Sequence, residues 1–276
     1  MSSSRWLATS NGGNIFATAD KQLQPETAIE HWRQWDTDLD SRPVILKPLC
    51  GGRSNHSFLL DSNIGKLVLR INGNGSILPG ADRSCEAGVW RAASEQGIAP
   101  PLVFVDSRNQ YLVSGYIESR LPARPQSDET ILDPAFKLLK TCHQMNVAAP
   151  AIDYARHIEH YWQIIEAGAK LPNPALARQR EAMQAMLDSL IKSNTPTGLC
   201  HHDPVIENFV GTPERLYLID WEYAATGLQI MDYAALATEW QIDDQTILTK
   251  TNFTPETFNL AKTLYKYLCS LWEAAT

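Results

Sequence analysis

Between residues 44 and 117 the apolar residues come in short runs broken by turns, and from residue 128 onward they recur at three- and four-residue intervals. Short bounded runs belong to strands, and the wider spacing belongs to amphipathic helices. Strands followed by helices, rather than alternating with them, predict an α+β chain with a sheet-rich half and a helical half. Val44-Ile45-Leu46, Ser57–Leu60 and Leu67–Ile71 are separated by Gly51-Gly52 and by Asp61–Gly65, which predicts three antiparallel strands. A helix is expected from Asp82 to about Gln96, ahead of Pro100-Pro101. A second hairpin follows over Leu102–Val105 and Tyr111–Ile117, turning near Asp106–Asn109. Upstream, Ile29, Trp32, Trp35 and Leu39 predict an amphipathic helix over Thr27–Leu39. Downstream, helices are expected near Thr130–Asn146, Tyr154–Ala169, Pro174–Ser193, Ile230–Trp240 and Pro255–Ala275, with strands around Leu199 and over Leu216–Ile219. The joint falls near Glu118–Pro125, giving lobes over 1–118 and 119–276.

At 276 residues with 44% hydrophobic and 20% charged side chains, there is apolar material for a real core. Lys+Arg 24 against Asp+Glu 31 gives a formal charge of -7, which argues against a generic electrostatic nucleic-acid binder. Acidity suits a site for a divalent metal or a cationic substrate, and many enzymes share it without either. No run approaches the ~18–20 apolar residues of a membrane span. Met1–Asp20 has no basic patch followed by an apolar stretch, so neither membrane insertion nor a secretory leader is expected. The five cysteines are scattered and never spaced C-x-x-C, which suits a reducing, cytoplasmic setting.

The strongest local signal is Cys200-His201-His202-Asp203-Pro204-Val205-Ile206-Glu207-Asn208-Phe209, which contains H-x-D-x-x-x-x-N. Shortly after comes Leu218-Ile219-Asp220-Trp221-Glu222-Tyr223, an acid at the end of an apolar strand. Phosphoryl transfer needs a carboxylate that orients the attacking hydroxyl, and oxygen ligands that hold magnesium against the ATP phosphates. Asp203, Asn208 and Asp220 supply those oxygens from two neighbouring segments. Singly, Asp203 also reads as a turn cap and Asp220 as an ordinary strand-end residue. Their order and spacing favour the chemical reading.

With Leu49-Cys50-Gly51-Gly52-Arg53-Ser54-Asn55, Leu69-Arg70-Ile71 and Asp82-Arg83-Ser84-Cys85-Glu86 upstream, and Ile219-Asp220-Trp221-Glu222-Tyr223-Ala224 downstream, the chain resembles the kinase-like small-molecule phosphotransferases, and within them the choline/ethanolamine kinase group. The resemblance covers about residues 44–240. It implies a two-lobed protein-kinase-like fold, a five-stranded antiparallel sheet with one helix followed by a mainly helical lobe, with ATP and Mg²⁺ between them. It places Gly51, Gly52, Ser54 and Asn55 over the phosphates, Arg70 against the α/β-phosphates, and Glu86 as its ion-pair partner. The backbone of Tyr116 and Ile117 would meet adenine. Asp203 becomes the catalytic carboxylate, Asn208 and Asp220 the metal ligands, and Asp232 and His201 braces of the loop.

The protein-kinase pattern is incomplete: G-x-G-x-x-G is missing, D-F-G is replaced by Asp220-Trp221-Glu222, and no A-P-E segment follows. A small-molecule acceptor fits better than a protein. A quaternary ammonium prefers aromatic faces with carboxylates nearby, and Glu222, Tyr223, Trp240 and Trp272 are the candidates, beside Glu239, Tyr265 and Tyr267. Aromatic residues on a helix serve a core equally well. The expected reaction is transfer of the ATP γ-phosphate to a choline-like alcohol. Thiamine, ethanolamine or an aminoglycoside are alternative acceptors, and a binding protein without catalysis is the alternative of another class.

Overall fold

The computed structural model describes residues 23–35, 38–49, 55–73, 83–122, 128–168 and 173–275. Five strands, β1 (Val44–Leu49), β2 (Asn55–Asp61), β3 (Leu67–Asn72), β4 (Leu102–Val105) and β5 (Tyr111–Gly115), form one antiparallel sheet in the order β1-β2-β3-β5-β4. Local chemistry makes its turns. Gly65 at φ +110° closes the β2–β3 turn, and Asp106 accepts the amides of Arg108 and Gln110 between β4 and β5. Central β3 has period two: Leu67, Leu69 and Ile71 join the outer core with Ile29, Trp35 and Tyr111. Arg70 and Asn72, equally buried, lie on the other face.

The expected helix over Thr27–Leu39 is shorter. Helix α1 spans Pro25–Glu30, a 3₁₀ turn covers Trp32–Gln34, and Trp35 is extended. Its indole packs on Phe104 and reaches the Tyr111 hydroxyl at 3.5 Å. The four apolar residues do meet the sheet, and packing there wins over continuing the helix. Helix α2 (Arg83–Glu95) turns Val89, Trp90 and Ala93 into the large core shared with the helical half. The last strand of the second hairpin stops at Gly115 rather than Ile117.

Helices α3 (Glu129–Gln144), α4 (Tyr154–Ala167) and α5 (Pro174–Lys192) begin where Asp128, Asp153 and Asn173 cap their first amides. Four short strands follow: β6 (Thr197–Cys200), β7 (Phe209–Thr212), β8 (Arg215–Leu218) and β9 (Ala225–Leu228). Of these, β7 and β9 were not foreseen, being four residues each with Gly211 and Gly227 inside them. Their partners create them: β9 pairs β6, and β7 pairs β8. This pairing puts Cys200 opposite Ala225 and Phe209 opposite Leu218, so loops 201–208 and 219–224 emerge side by side. Helices α6 (Gln229–Glu239), α7 (Asp244–Lys250) and α8 (Pro255–Ala275) close the fold, α7 also unforeseen, with α8 packed on α4, α5 and α6. No described helix is long and apolar enough to cross a membrane.

Candidate active site

Arg70 projects from β3 into a buried ionic network. Its Nη2 lies 2.6 Å from Glu86 of α2, its Nη1 2.8 Å from Asp220, and its Nε donates to Asn72 at 3.1 Å. Burial works against its charge, but Glu86 first and Asp220 next hold its pKa above the ordinary value. Glu86 is correspondingly lowered: burial opposes ionisation, and Arg70 and then Arg83 outweigh it. Arg83, at the start of α2, contacts Glu86 at 3.1 Å, Glu222 at 2.5 Å and Asn55 at 2.8 Å. Asn55 also donates to Glu222 at 3.2 Å. The expected Arg70–Glu86 pair is therefore one edge of a network that also takes in Arg83, which sequence reasoning quoted without giving it a role. Its spacing of three from Glu86 on a helix was the available signal. Gly51, Gly52 and Ser54 lie outside the described residues.

Loop 201–208 is held from behind by Asp232 on α6, which is fully buried. Its carboxylate accepts the amides of His201 and His202 at 2.9 and 2.8 Å and faces His143 Nε2 at 2.9 Å. Burial alone would raise this acid; the His143 hydrogen bond leads the opposing contributions and brings it down to about 2. His201 is kept from protonation by burial, and its Nε2 donates to the Ile219 carbonyl at 3.0 Å. That bond joins the two loops, as does the Ile219 amide donating to Asn208 O at 3.0 Å.

Asp203 and Asn208 meet directly. The Asn208 Nδ2 donates to the Asp203 carboxylate at 2.8 Å and to its carbonyl at 2.9 Å. Asp220 adopts left-handed backbone, φ 65° and ψ 65°, which turns its carboxylate to Arg70. Burial pushes the Asp203 carboxyl up to about 6 against the Asn208 hydrogen bond, with Glu222, Glu239 and Glu207 adding repulsion. Asp220 is raised by the same cause against the pull of Arg70. Two half-buried carboxylates crowded by further acids, with an amide whose nitrogen is already spent, form a hard-oxygen set suited to Mg²⁺. Asn208 and Asp220 would hold it.

Tyr223 is half-buried, and its phenol is raised by burial and then by Glu222, Tyr161 and Asp203. Tyr161 of α4 feels Cys269 and Asp203 in turn, and the Tyr265 hydroxyl donates to Glu239 at 2.9 Å. Tyr161 and Tyr265 are buried in the core, and Tyr223 alone of the three phenols is half-buried. Tyr161 was missed; its signal was a hydroxyl-tipped aromatic within the inward stripe of α4. Trp240 is placed elsewhere: it is 2% exposed in the core, edge-on to Phe209. Trp272 is half-buried against the core, and Glu222 turns to Arg83 and Asn55. Beyond β5, the Gly115 amide donates to Pro101 O and the Tyr116 amide to Lys66 O. The Tyr116 amide, expected to face adenine, is therefore committed to the sheet.

A sheet-plus-helix lobe facing a helical lobe, with paired loops presenting Asp203, Asn208 and Asp220, defines the kinase-like class of folds. The chain belongs to the phosphotransferase enzyme family, which it matches over residues 45–256. No curated protein matches it. Among solved structures, choline kinase LicA from Streptococcus pneumoniae is 25% identical with a TM-score of 0.70, covering 83% of this chain and 86% of that one. Its complex with AMP gives 23% and 0.74, covering 91% and 89%. A choline/ethanolamine kinase family protein from Mesorhizobium loti gives 22% and 0.67, covering 86% and 80%. Spectinomycin phosphotransferase, bound to ADP and spectinomycin, gives 14% and 0.60, covering 92% and 87%.

Proposed function

We propose that this phosphotransferase moves the γ-phosphoryl group of MgATP to the hydroxyl of a small cationic alcohol, choline-like in character. The observation that carries the reading is the Asp203 carboxyl, hydrogen-bonded by Asn208 and raised to about 6, beside Asp220. Asp203 accepts the acceptor's hydroxyl hydrogen bond and takes its proton as the new O–P bond forms. The bond from the γ-phosphorus to the bridging oxygen breaks, and ADP leaves with that electron pair. Arg70, aimed by Glu86, steadies the phosphates. Bound magnesium supplies charge neutralisation at the phosphate oxygens, with Asn208 and Asp220 as its protein ligands.

Residues 1–118 act as the nucleotide lobe and 119–276 as the acceptor lobe, in the cytoplasm, where ATP is supplied. A cationic acceptor is favoured because Asp203 and Glu239 add acid charge near half-buried Tyr223 and the Tyr265 hydroxyl. The likeness to choline kinase LicA supports the same direction. Thiamine and ethanolamine share that chemistry, and an aminoglycoside is the remaining acceptor class. The test is ADP release from MgATP with choline, ethanolamine, thiamine or kanamycin, using Asp203→Asn as the blank. Turnover with choline that vanishes in the variant supports the reading. Turnover with kanamycin alone replaces the acceptor, and ATP binding without turnover on any of the four favours a binding protein.

A further inference from the structure

His202, next to Asp203, has no part in the mechanism above. It sits at φ +64°, in the left-handed region that histidine tolerates but seldom adopts. Its Nε2 lies 3.0 Å from the Tyr154 hydroxyl at the start of α4. The Leu228 amide donates to that same hydroxyl at 3.1 Å, so the single hydroxyl proton is directed to His202 Nε2. Burial, the largest influence, keeps the imidazole neutral, which leaves its proton on Nδ1. Among the described residues Nδ1 has no hydrogen-bond partner. On the remaining side β9 presses bare backbone against the pair. A Cβ on Gly227 would stand 2.6 Å from the Tyr154 hydroxyl oxygen and 2.7 Å from His202 Nε2.

We propose that His202, held by Tyr154, is a positioning residue for phosphoryl transfer: it anchors the left-handed backbone that aims Asp203. The inference rests on the reading of Asp203 given above. Asp203 follows directly, so rotation about the His202 backbone swings its carboxylate. The nucleotide-side groups Arg70, Glu86 and Arg83 belong to other elements and are not part of this knot. Loosening it therefore impairs transfer while leaving nucleotide binding intact.

The experiment compares Tyr154→Phe, Gly227→Ala, His202→Asn and His202→Ala using the acceptor that the ADP-release panel identifies. Acceptor-independent ATP hydrolysis and melting temperature are measured alongside. Expected are a kcat for transfer lowered about tenfold in Tyr154→Phe and Gly227→Ala and a KM for MgATP within roughly twofold of the parent. His202→Asn, able to adopt left-handed backbone and accept from Tyr154, should keep more activity than His202→Ala. Unchanged kcat in Tyr154→Phe and Gly227→Ala overturns the inference. So does a parallel loss of kcat, MgATP affinity and melting temperature, which marks a general loosening. Full activity in Asp203→Asn, or no acceptor in the panel, sinks the underlying functional reading and this inference with it.

Discussion

Arg70 and Asp232 are both buried charges serving neighbouring loops, but they gather different partners. Arg70 binds side chains from several segments: Glu86 on α2, Asp220 on the 219–224 loop and Asn72 on its own strand. Asp232 binds mainly backbone, the consecutive amides of His201 and His202, with His143 as a third donor. A guanidinium facing carboxylates can exchange one of them for phosphate oxygens, because both are planar or tetrahedral anions of similar reach. A carboxylate saturated by backbone amides has nowhere to go. The difference suggests a working half, whose charges are rearranged when substrate arrives, and a fixed half, whose charge holds a strained loop in place.

The largest effect should come where the two halves meet. Asp203→Ala is expected to lower kcat by about 10²–10⁴-fold with circular dichroism and melting temperature near those of the parent. A loss of fold instead would place Asp203 with Asp232 as a structural acid and break the contrast. Next in size, Asp232→Ala leaves three buried donors without their acceptor and should cost roughly 3–5 kcal/mol of stability, read by chemical denaturation. Its pH signature has a definite sign. The folded-state carboxyl is lowered from 3.8 to about 2, so its contribution is complete above pH 3.8 and is lost as the pH falls through about 2. The parent should shed about 2 kcal/mol over that window, whereas Asp232→Asn should show a flatter acid limb.

The ionic network should respond first through nucleotide affinity. Arg70→Lys cannot match three partners with one ammonium, and MgATP affinity is expected to fall about tenfold, measured by calorimetry. An unchanged affinity would mean that Arg70 is a structural residue like Asp232. The smallest effect on nucleotide affinity belongs to Arg83→Gln. Glu86 keeps Arg70, so MgATP affinity is expected to fall about threefold or less, while Glu222, 3% exposed, loses an ion-pair partner and the melting temperature falls. A loss as large as that of Arg70→Lys would make Arg83 an equal partner in the nucleotide site.

Much of this arrangement could be anticipated. The change of apolar period near residue 120 placed the sheet before the helices, and the helices expected from about Thr130, Tyr154 and Pro174 begin at Glu129, Tyr154 and Pro174. The Arg70–Glu86 contact was implied by the family resemblance and is present at 2.6 Å. Other features had no local signature. β7 and β9 are too short and too rich in glycine to show as strands until their partners stand beside them. Trp240 offered the same aromatic signal as a pocket residue, and only burial against Phe209 assigns it to the core.

By itself, the sequence determined most of the order of elements, the strand that carries Arg70, and the presence of Asp203, Asn208 and Asp220 in two consecutive segments. These follow from periods and spacings within a few residues of chain. The tertiary structure alone decided that Glu222 turns to Arg83 and Asn55, that Tyr161 joins Tyr223 near Asp203, and that Tyr154 reaches His202. Those choices depend on which charges and hydroxyls share a desolvated volume, and residues 48 to 167 positions apart come within hydrogen-bonding range only when the core closes.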